Sequence, residues 1–207
     1  VPQPGCDFIA LSELLVSTAL PAVQWLRGHI MLHAAGVVLP GRSGAIAISG
    51  ISGSGKSTLA AELLARGASL LADDSMRIIR EAGGWQAAGL SGGLFQEGGQ
   101  TIRRRFDPVT ADRSMRTSKL EAIFVLGERV ASPTLRRLDG PDAVRQLLAM
   151  QHRPAIPALL GLRGEVLQRI AEMARSLPVF LWQRCTEEMV LGEAEWELLL
   201  GCLSNGR

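Results

Sequence analysis

One short segment constrains this chain more than any other: Gly50-Ile51-Ser52-Gly53-Ser54-Gly55-Lys56-Ser57, with Thr58 directly after it. Its neighbours matter as much as its glycines. A short apolar run, Ala45-Ile46-Ala47-Ile48-Ser49, leads in, and a helix-forming run from Ser57 to Ala65 leads out, with Gly67 where a helix C-cap falls. Strand, glycine-rich loop and helix N-terminus in that order make a cradle for a polyanion. Backbone N–H groups converge there and the helix dipole adds partial positive charge. Gly50, Gly53 and Gly55 let the main chain come close to phosphate and tolerate unusual φ. The pattern is that of a phosphate loop. It predicts ATP bound as its Mg²⁺ complex by Gly50, Ser52, Gly53, Ser54, Gly55, Lys56, Ser57 and Thr58, with Lys56 on the β- and γ-phosphates and the Ser57 hydroxyl on the cation.

After the helix, Ser69-Leu70-Leu71-Ala72 reads as a buried strand that ends in Asp73-Asp74. Strand, loop, helix and strand form a βαβ-type unit, and in an open parallel sheet the C-terminal ends of strands face the ligand crevice. Two carboxylates there suit Mg²⁺ and a general base, because an alcohol is a poor nucleophile until its proton has an acceptor. His33 lies in a valine-rich run from Met31 to Leu39 that precedes the phosphate-loop strand and is joined to it by a turn at Pro40-Gly41-Arg42-Ser43-Gly44. On pattern alone it is an ordinary histidine at a strand edge.

The rest of the chain frames this unit. With 207 residues, 47% of them hydrophobic, it has the material for one domain with a proper core. The reading is a single domain over 1–207, with 1–30 as an N-terminal helical extension. Ser12 is the expected N-cap of a helix reaching Gly28, with an apolar face of Leu14, Leu15, Leu20, Val23, Trp25 and Leu26, and Pro21 kinks it or starts its second half. Gly83-Gly84 and Gly92-Gly93 predict turns and a mobile loop between Arg80 and Gly99. Strands are expected over Leu120–Leu126 and Val179–Trp182, and helices over Asp142–Gln151, Arg163–Ala174 and Glu193–Leu203. A net charge of +2 gives no support for general nucleic-acid binding. Cys6, Cys185 and Cys202 are scattered, without metal-ligand spacing, which fits a reducing compartment. With no membrane-spanning apolar run and no basic-then-apolar leader, the expected setting is the cytoplasm, away from any membrane.

Three segments together resemble a known family. They are His33 with Gly36-Val37-Val38, the run Ile46 to Thr58, and Arg66-Gly67-Ala68-Ser69-Leu70-Leu71-Ala72-Asp73-Asp74. This resembles the catalytic domain of HPr kinase/phosphorylase, and more so the HPr-kinase-like proteins of peptide-modifying clusters, lasso-peptide kinases among them. Segments around Gln151-His152-Arg153-Pro154 and Pro178-Val179-Phe180 look like the same relatives. The resemblance implies an α/β fold of the P-loop nucleoside triphosphate hydrolase type, in its HPr kinase/PEP carboxykinase form, with a mixed sheet flanked by helices. It implies a serine acceptor on a peptide or small protein, Asp73 as the base, Asp74 with Ser57 at the metal, and His33 beside the carboxylates. It does not extend to the glycine-containing signature those kinases carry after the aspartates. Gly92-Gly93-Leu94-Phe95-Gln96-Glu97-Gly98-Gly99 stands there instead, so the reading leaves out HPr itself as substrate, and the reverse reaction.

The reading is therefore an ATP-dependent kinase with catalytic residues Lys56, Asp73 and His33. A small-molecule kinase acting, for instance, on free serine, and a nucleotide-binding regulatory module with little turnover, are its alternatives. Arg103-Arg104-Arg105, Lys119 and Arg153 are weaker candidates for gripping phosphate or an acidic peptide; the arginine run reads first as a solvated loop face and Lys119 as a strand-edge gatekeeper. Trp85, Trp182 and Trp196 read as core or cover.

Overall fold

The computed structural model describes residues 11, 14–90, 93–97, 104–110, 113–186 and 190–205. The valine-rich run before the phosphate loop is not one strand. It breaks at His33 into β1 (Ile30–Leu32) and β2 (Ala34–Val38). β2 turns into β3 (Ala45–Ser49) as the expected hairpin, in antiparallel register from Ala34 opposite Ser49 to Val38 opposite Ala45. The phosphate-loop helix α2 (Lys56–Ala65) and β4 (Ser69–Ala72) follow. β4 is laid antiparallel on the far side of β2. The two strands of the βαβ-type unit are thus parallel to each other but separated by β2, and the sheet is mixed, as the resemblance implies, rather than all-parallel.

Past β4 the chain runs through β5 (Met76–Glu81), β6 (Gly84–Gly89), β7 (Gly93–Glu97), β8 (Arg104–Pro108) and β9 (Thr117–Leu126). It continues as β10 (Thr134–Leu138), helices α3 (Gly140–Ala149), α4 (Ala155–Leu159) and α5 (Arg163–Ser176), strand β11 (Val179–Gln183) and helix α6 (Glu193–Asn205). The main sheet runs in the order β1-β5-β6-β9-β3-β2-β4, and β11 and then β10 branch from β9. β1 and β2 are separated by one residue in sequence yet lie near opposite ends of that path. A sheet can satisfy this only by curling back on itself, and His33 marks the seam.

Both faces of the sheet are covered, which is why its central strands read as continuous apolar runs. Side chains alternate with period two. In β3, Ala45 and Ala47 join a core with Leu147, Ile170 and Met173 of α3 and α5, while Ile46 and Ile48 join a core with Leu59 and Leu63 of α2 and Leu199 of α6. In β9, Ile123 and Val125 go to the first, Phe124 to the second. Phe124 stacks on Phe180 at 5.1 Å and meets Trp182 edge-on at 5.8 Å. Trp85 and Trp182 are buried and Trp196 packs on the second core, as expected of core or cover.

The tail segment clamps the far end of α2. Glu62 accepts the Leu191 N–H at 2.8 Å, and Arg66 donates to Glu193 at 2.7 Å and to the Leu191 carbonyl at 2.9 Å. Behind them Arg184, 3% exposed, pairs with Glu195, 1% exposed, at 3.1 Å.

Some expectations give way. Ser12 lies outside the described residues. The N-terminal segment winds as a π-turn over Leu15–Ala19 before α1 (Leu20–Leu26), and Pro21, with no N–H to offer, sits in the first turn of α1 and starts the second half. Its expected apolar face does not pack. Trp25 is buried and donates to the His152 carbonyl at 3.0 Å, but Leu14, Leu15, Leu20, Val23 and Leu26 are exposed. The glycine-rich stretch holds strands: Gly83-Gly84 turns β5 into β6, as expected, and Gly93–Glu97 pairs with β8. Gly92, Gly98, Gly99 and Arg103 lie outside the described residues.

Gly89 closes β6 where it passes beneath β4. A β-carbon there would run into the Leu71 carbonyl and the Ala72 backbone, neither of which can swing aside. Gly89→Ala is expected to destabilise the fold by about 1–3 kcal/mol, the usual cost of overpacking. A urea midpoint unchanged from wild type would show that β4 has room to shift.

Candidate active site

The ends of β3 and β4, the start of α2 and the His33 seam meet at one edge of the sheet. Gly55 caps α2 with φ +91° and Gly53 has φ +80°, values that suit glycine, and a β-carbon on either would meet nothing within 4 Å. The space beside both glycines is therefore open, at the N-terminus of α2. Gly50 is different: a β-carbon there would strike Ser54 Oγ, so this glycine serves close packing. Ser54 Oγ is itself buried without a hydrogen-bond partner.

Lys56 is 6% exposed and folds back on its own loop, donating to the Gly50 carbonyl at 2.9 Å and the Ile51 carbonyl at 2.8 Å. The fold-back keeps the ammonium inside the loop, where an anion held by that loop would meet it. Ser57 Oγ donates to Asp73 Oδ1 at 2.9 Å. The orphaned Ser54 hydroxyl, the open glycine arch, Lys56 and the Ser57–Asp73 pair fit a Mg²⁺-nucleotide. Ser52 and Thr58 are exposed on the rim.

The two aspartates part company. Asp73 is 1% exposed and faces the phosphate loop. Asp74 takes φ +68°, which turns the chain and sends its side chain toward the seam, where Oδ1 lies 3.5 Å from His33 Nδ1. The same His33 nitrogen is 3.0 Å from the Asp74 carbonyl, a bond it can only donate. His33 is anchored through its backbone as well: its N–H donates to Met150 and its carbonyl accepts from Ser49 Oγ at 2.8 Å.

Burial first, and then the charge of Lys56, hold the His33 pKa below the usual 6.5 despite the opposing pull of Asp74. His29 shifts the same way, chiefly through burial. The unfolded chain then binds more protons than the folded one as pH falls through about 6.5, so stability declines with falling pH and levels off below the folded-state pKa. The urea midpoint is expected to drop from about pH 7.5 to about pH 5, and to drop less in His33→Gln. An equal drop in both proteins would remove His33 from the cause.

Sequence reasoning missed His152 and Ser75 as site residues. His152 is 6% exposed, its Nε2 lies 3.2 Å from Ser75 Oγ, and its ring centroid is 5.8 Å from that of His33. No spacing pattern could link residues so far apart in sequence. The weaker candidates stay at the surface: Lys119 is exposed on β9 opposite Gln86, and Arg153 is exposed. Arg104 and Arg105 lie on β8, whose side chains are outside the described set.

No protein-family model matches the chain, and no curated protein does. Among solved structures it is similar to the HPr(Ser) kinase/phosphatase from Coxiella burnetii, with a TM-score of 0.50 and 15% identity over 83% of this chain and 88% of that one. At that identity the likeness establishes the fold. It is an HPr-kinase-like mixed α/β fold, with a curled sheet flanked by helices. Among the described residues, no helix is long and apolar enough to cross a membrane.

Proposed function

We propose that this chain is an ATP-dependent kinase that transfers the γ-phosphoryl group to a serine hydroxyl of a peptide or small protein, with a ribosomally made, lasso-type precursor peptide as the leading acceptor. The observation that carries the reading is the Ser57–Asp73 hydrogen bond of 2.9 Å, which sets a carboxylate against the first turn of a helix entered through an open glycine arch. The Coxiella burnetii kinase/phosphatase shares the fold, and the kinase activity in its name agrees with this chemistry. The setting proposed is the cytoplasm, where ATP is abundant.

In this reading the backbone N–H groups of Gly53 to Lys56 hold the phosphates, and Lys56 exchanges its two loop carbonyls for phosphate oxygens. When bound, ATP with Mg²⁺ supplies the transferable phosphoryl group and the charge neutralisation it needs. Ser57 and Asp73 fit the cation side. Asp74, nearer the seam and held by His33, fits the role of accepting the proton of the acceptor hydroxyl. This assignment reverses the order of the two aspartates expected from the resemblance, and it rests on which carboxylate touches Ser57.

The test is incubation with γ-labelled ATP and a panel of serine peptides, including any precursor peptide encoded beside this chain, with mass spectrometry to place the phosphate. Label on a peptide serine supports the reading. Label on free serine or another metabolite alone replaces it with a small-molecule kinase, and tight ATP binding without transfer replaces it with a regulatory module.

A further inference from the structure

We propose that the outer edge of β10 is a docking site for an extended, acidic peptide segment, which it takes up as an added strand. β10 is the last strand on its branch of the sheet. It pairs with β11 from Thr134 opposite Gln183 to Leu138 opposite Val179, and among the described residues no strand lies on its other side. An edge strand presents a row of unpaired N–H and C=O groups, and a second chain can complete them by strand addition.

Both faces of β10 are already covered. Leu138 belongs to the core under α3 and α5, and Leu135 packs on the core that includes Leu199 of α6. An added strand would therefore continue two packed layers rather than stand alone in water. Each end of β10 also borders a cleft. At the Leu138 end the cleft measures about 460 Å³ and is lined by Arg137, Pro141, Val144, Ala174, Arg175 and Leu177. At the other end Pro133 and, on α6, Ala194, Leu198 and Cys202 line a cleft of about 650 Å³, with the exposed Glu197 beside them. The two clefts belong to opposite faces of the sheet, so the side chains that fill them must be an odd number of residues apart. The strand spans roughly 17 Å at about 3.4 Å per residue, which sets that spacing near five.

Charge selects the occupant. Arg136, Arg137 and Arg175 are all exposed along this edge. Arg137 lies 3.8 Å from Asp139, whereas Arg136 and Arg175 have no ion-pair partner among the described residues. A second copy of the chain would bring the same arginines against each other, and like charges set opposite one another are destabilising. A segment with acidic side chains toward the arginine-lined cleft and apolar ones toward α6 meets both faces.

The edge is aligned with the candidate active site. β3, β9 and β11 run parallel, and β10 runs against β11. The Thr134 end of β10 therefore lies at the end of the sheet where β3 enters the glycine arch. An added strand stands four strand steps from β3, roughly 19 Å at about 4.8 Å per step. About six residues of extended chain cover that distance. On the peptide-kinase reading, on which this one point rests, the substrate is a peptide whose docking segment lies at least that far along the chain from its acceptor serine. The docking itself does not depend on that reading.

The probe is a fluorescein-labelled peptide of three Thr-Glu-Val-Glu repeats, titrated with the full chain without nucleotide and followed by fluorescence anisotropy. The expected result is saturable binding, with hydrogen-exchange protection gained over Thr134–Leu138. Affinity should fall at least about 10-fold in the double variant Arg136→Glu, Arg137→Glu, and for a peptide with lysine at every glutamate. Both arginines are exposed, and far-UV circular dichroism checks that the variant folds. Of two peptides N-methylated at alternate residues, one in each register, one should lose binding by a similar factor, because only one set of N–H groups faces β10. Absence of saturable binding, protection gained elsewhere than β10, or equal binding of both N-methylated peptides overturns the strand addition. Equal binding of the lysine peptide overturns the acidic partner. No ATP enters the titration, so a failed kinase assay and failed docking are told apart.

Discussion

Lys56→Ala is expected to lower phosphoryl transfer by about 10³-fold or more, the scale seen when a preorganised charge is removed from developing negative charge. The effect follows from where the ammonium sits. Lys56 is 6% exposed in the first turn of α2, inside the loop it would share with the phosphates, so water cannot stand in for it at full strength. Its loss also removes the bonds to Gly50 and Ile51 that shape the loop, and ATP affinity should fall as well as turnover. The measurement is initial rate against ATP concentration with an acceptor peptide from the labelling screen. A variant within tenfold of wild type would mean that Lys56 only braces the loop.

The second large effect separates the aspartates. Asp74→Asn should cut turnover by about 10²-fold or more, the share usually carried by a general base, while nucleotide binding stays near normal. Asp73→Asn should instead raise the Mg²⁺ concentration needed for half-maximal rate, because Asp73 is the carboxylate against Ser57. Rate measured against Mg²⁺ at saturating ATP distinguishes the two. If Asp73→Asn lost turnover at every Mg²⁺ concentration and Asp74→Asn did not, the base would be Asp73, as the resemblance alone implies.

The glycine-rich loop between β3 and α2 was legible because its signals are local. Three glycines, a lysine and a serine within eight residues, between an apolar run and a helix former, leave little else to be. The β2–β3 hairpin, β4, β9, β11 and the later helices were legible for a similar reason, since period and punctuation sit within one segment. What sequence could not give was pairing. Nothing local shows that β4 passes beyond β2, or that one residue, His33, divides a valine-rich run between distant parts of a curled sheet. The parting of the Asp73 and Asp74 side chains falls at Asp74, whose φ is +68°. His152 reaches the site through long-range bonds, among them those to Met31, Trp25 and Ser75. The exposed leucines of α1 misled for the opposite reason: helical spacing shows that a face exists, not that anything covers it.

The bonds at Glu62 and Arg66 give α2 a mechanical character. The helix is tethered at its C-terminal end and open at the end that carries the glycine arch. A shift of the arch on ligand binding is therefore expected to leave the Arg66 end of the helix in place. Cutting that tether, by replacing Glu62, should leave the arch chemically intact and mechanically loose.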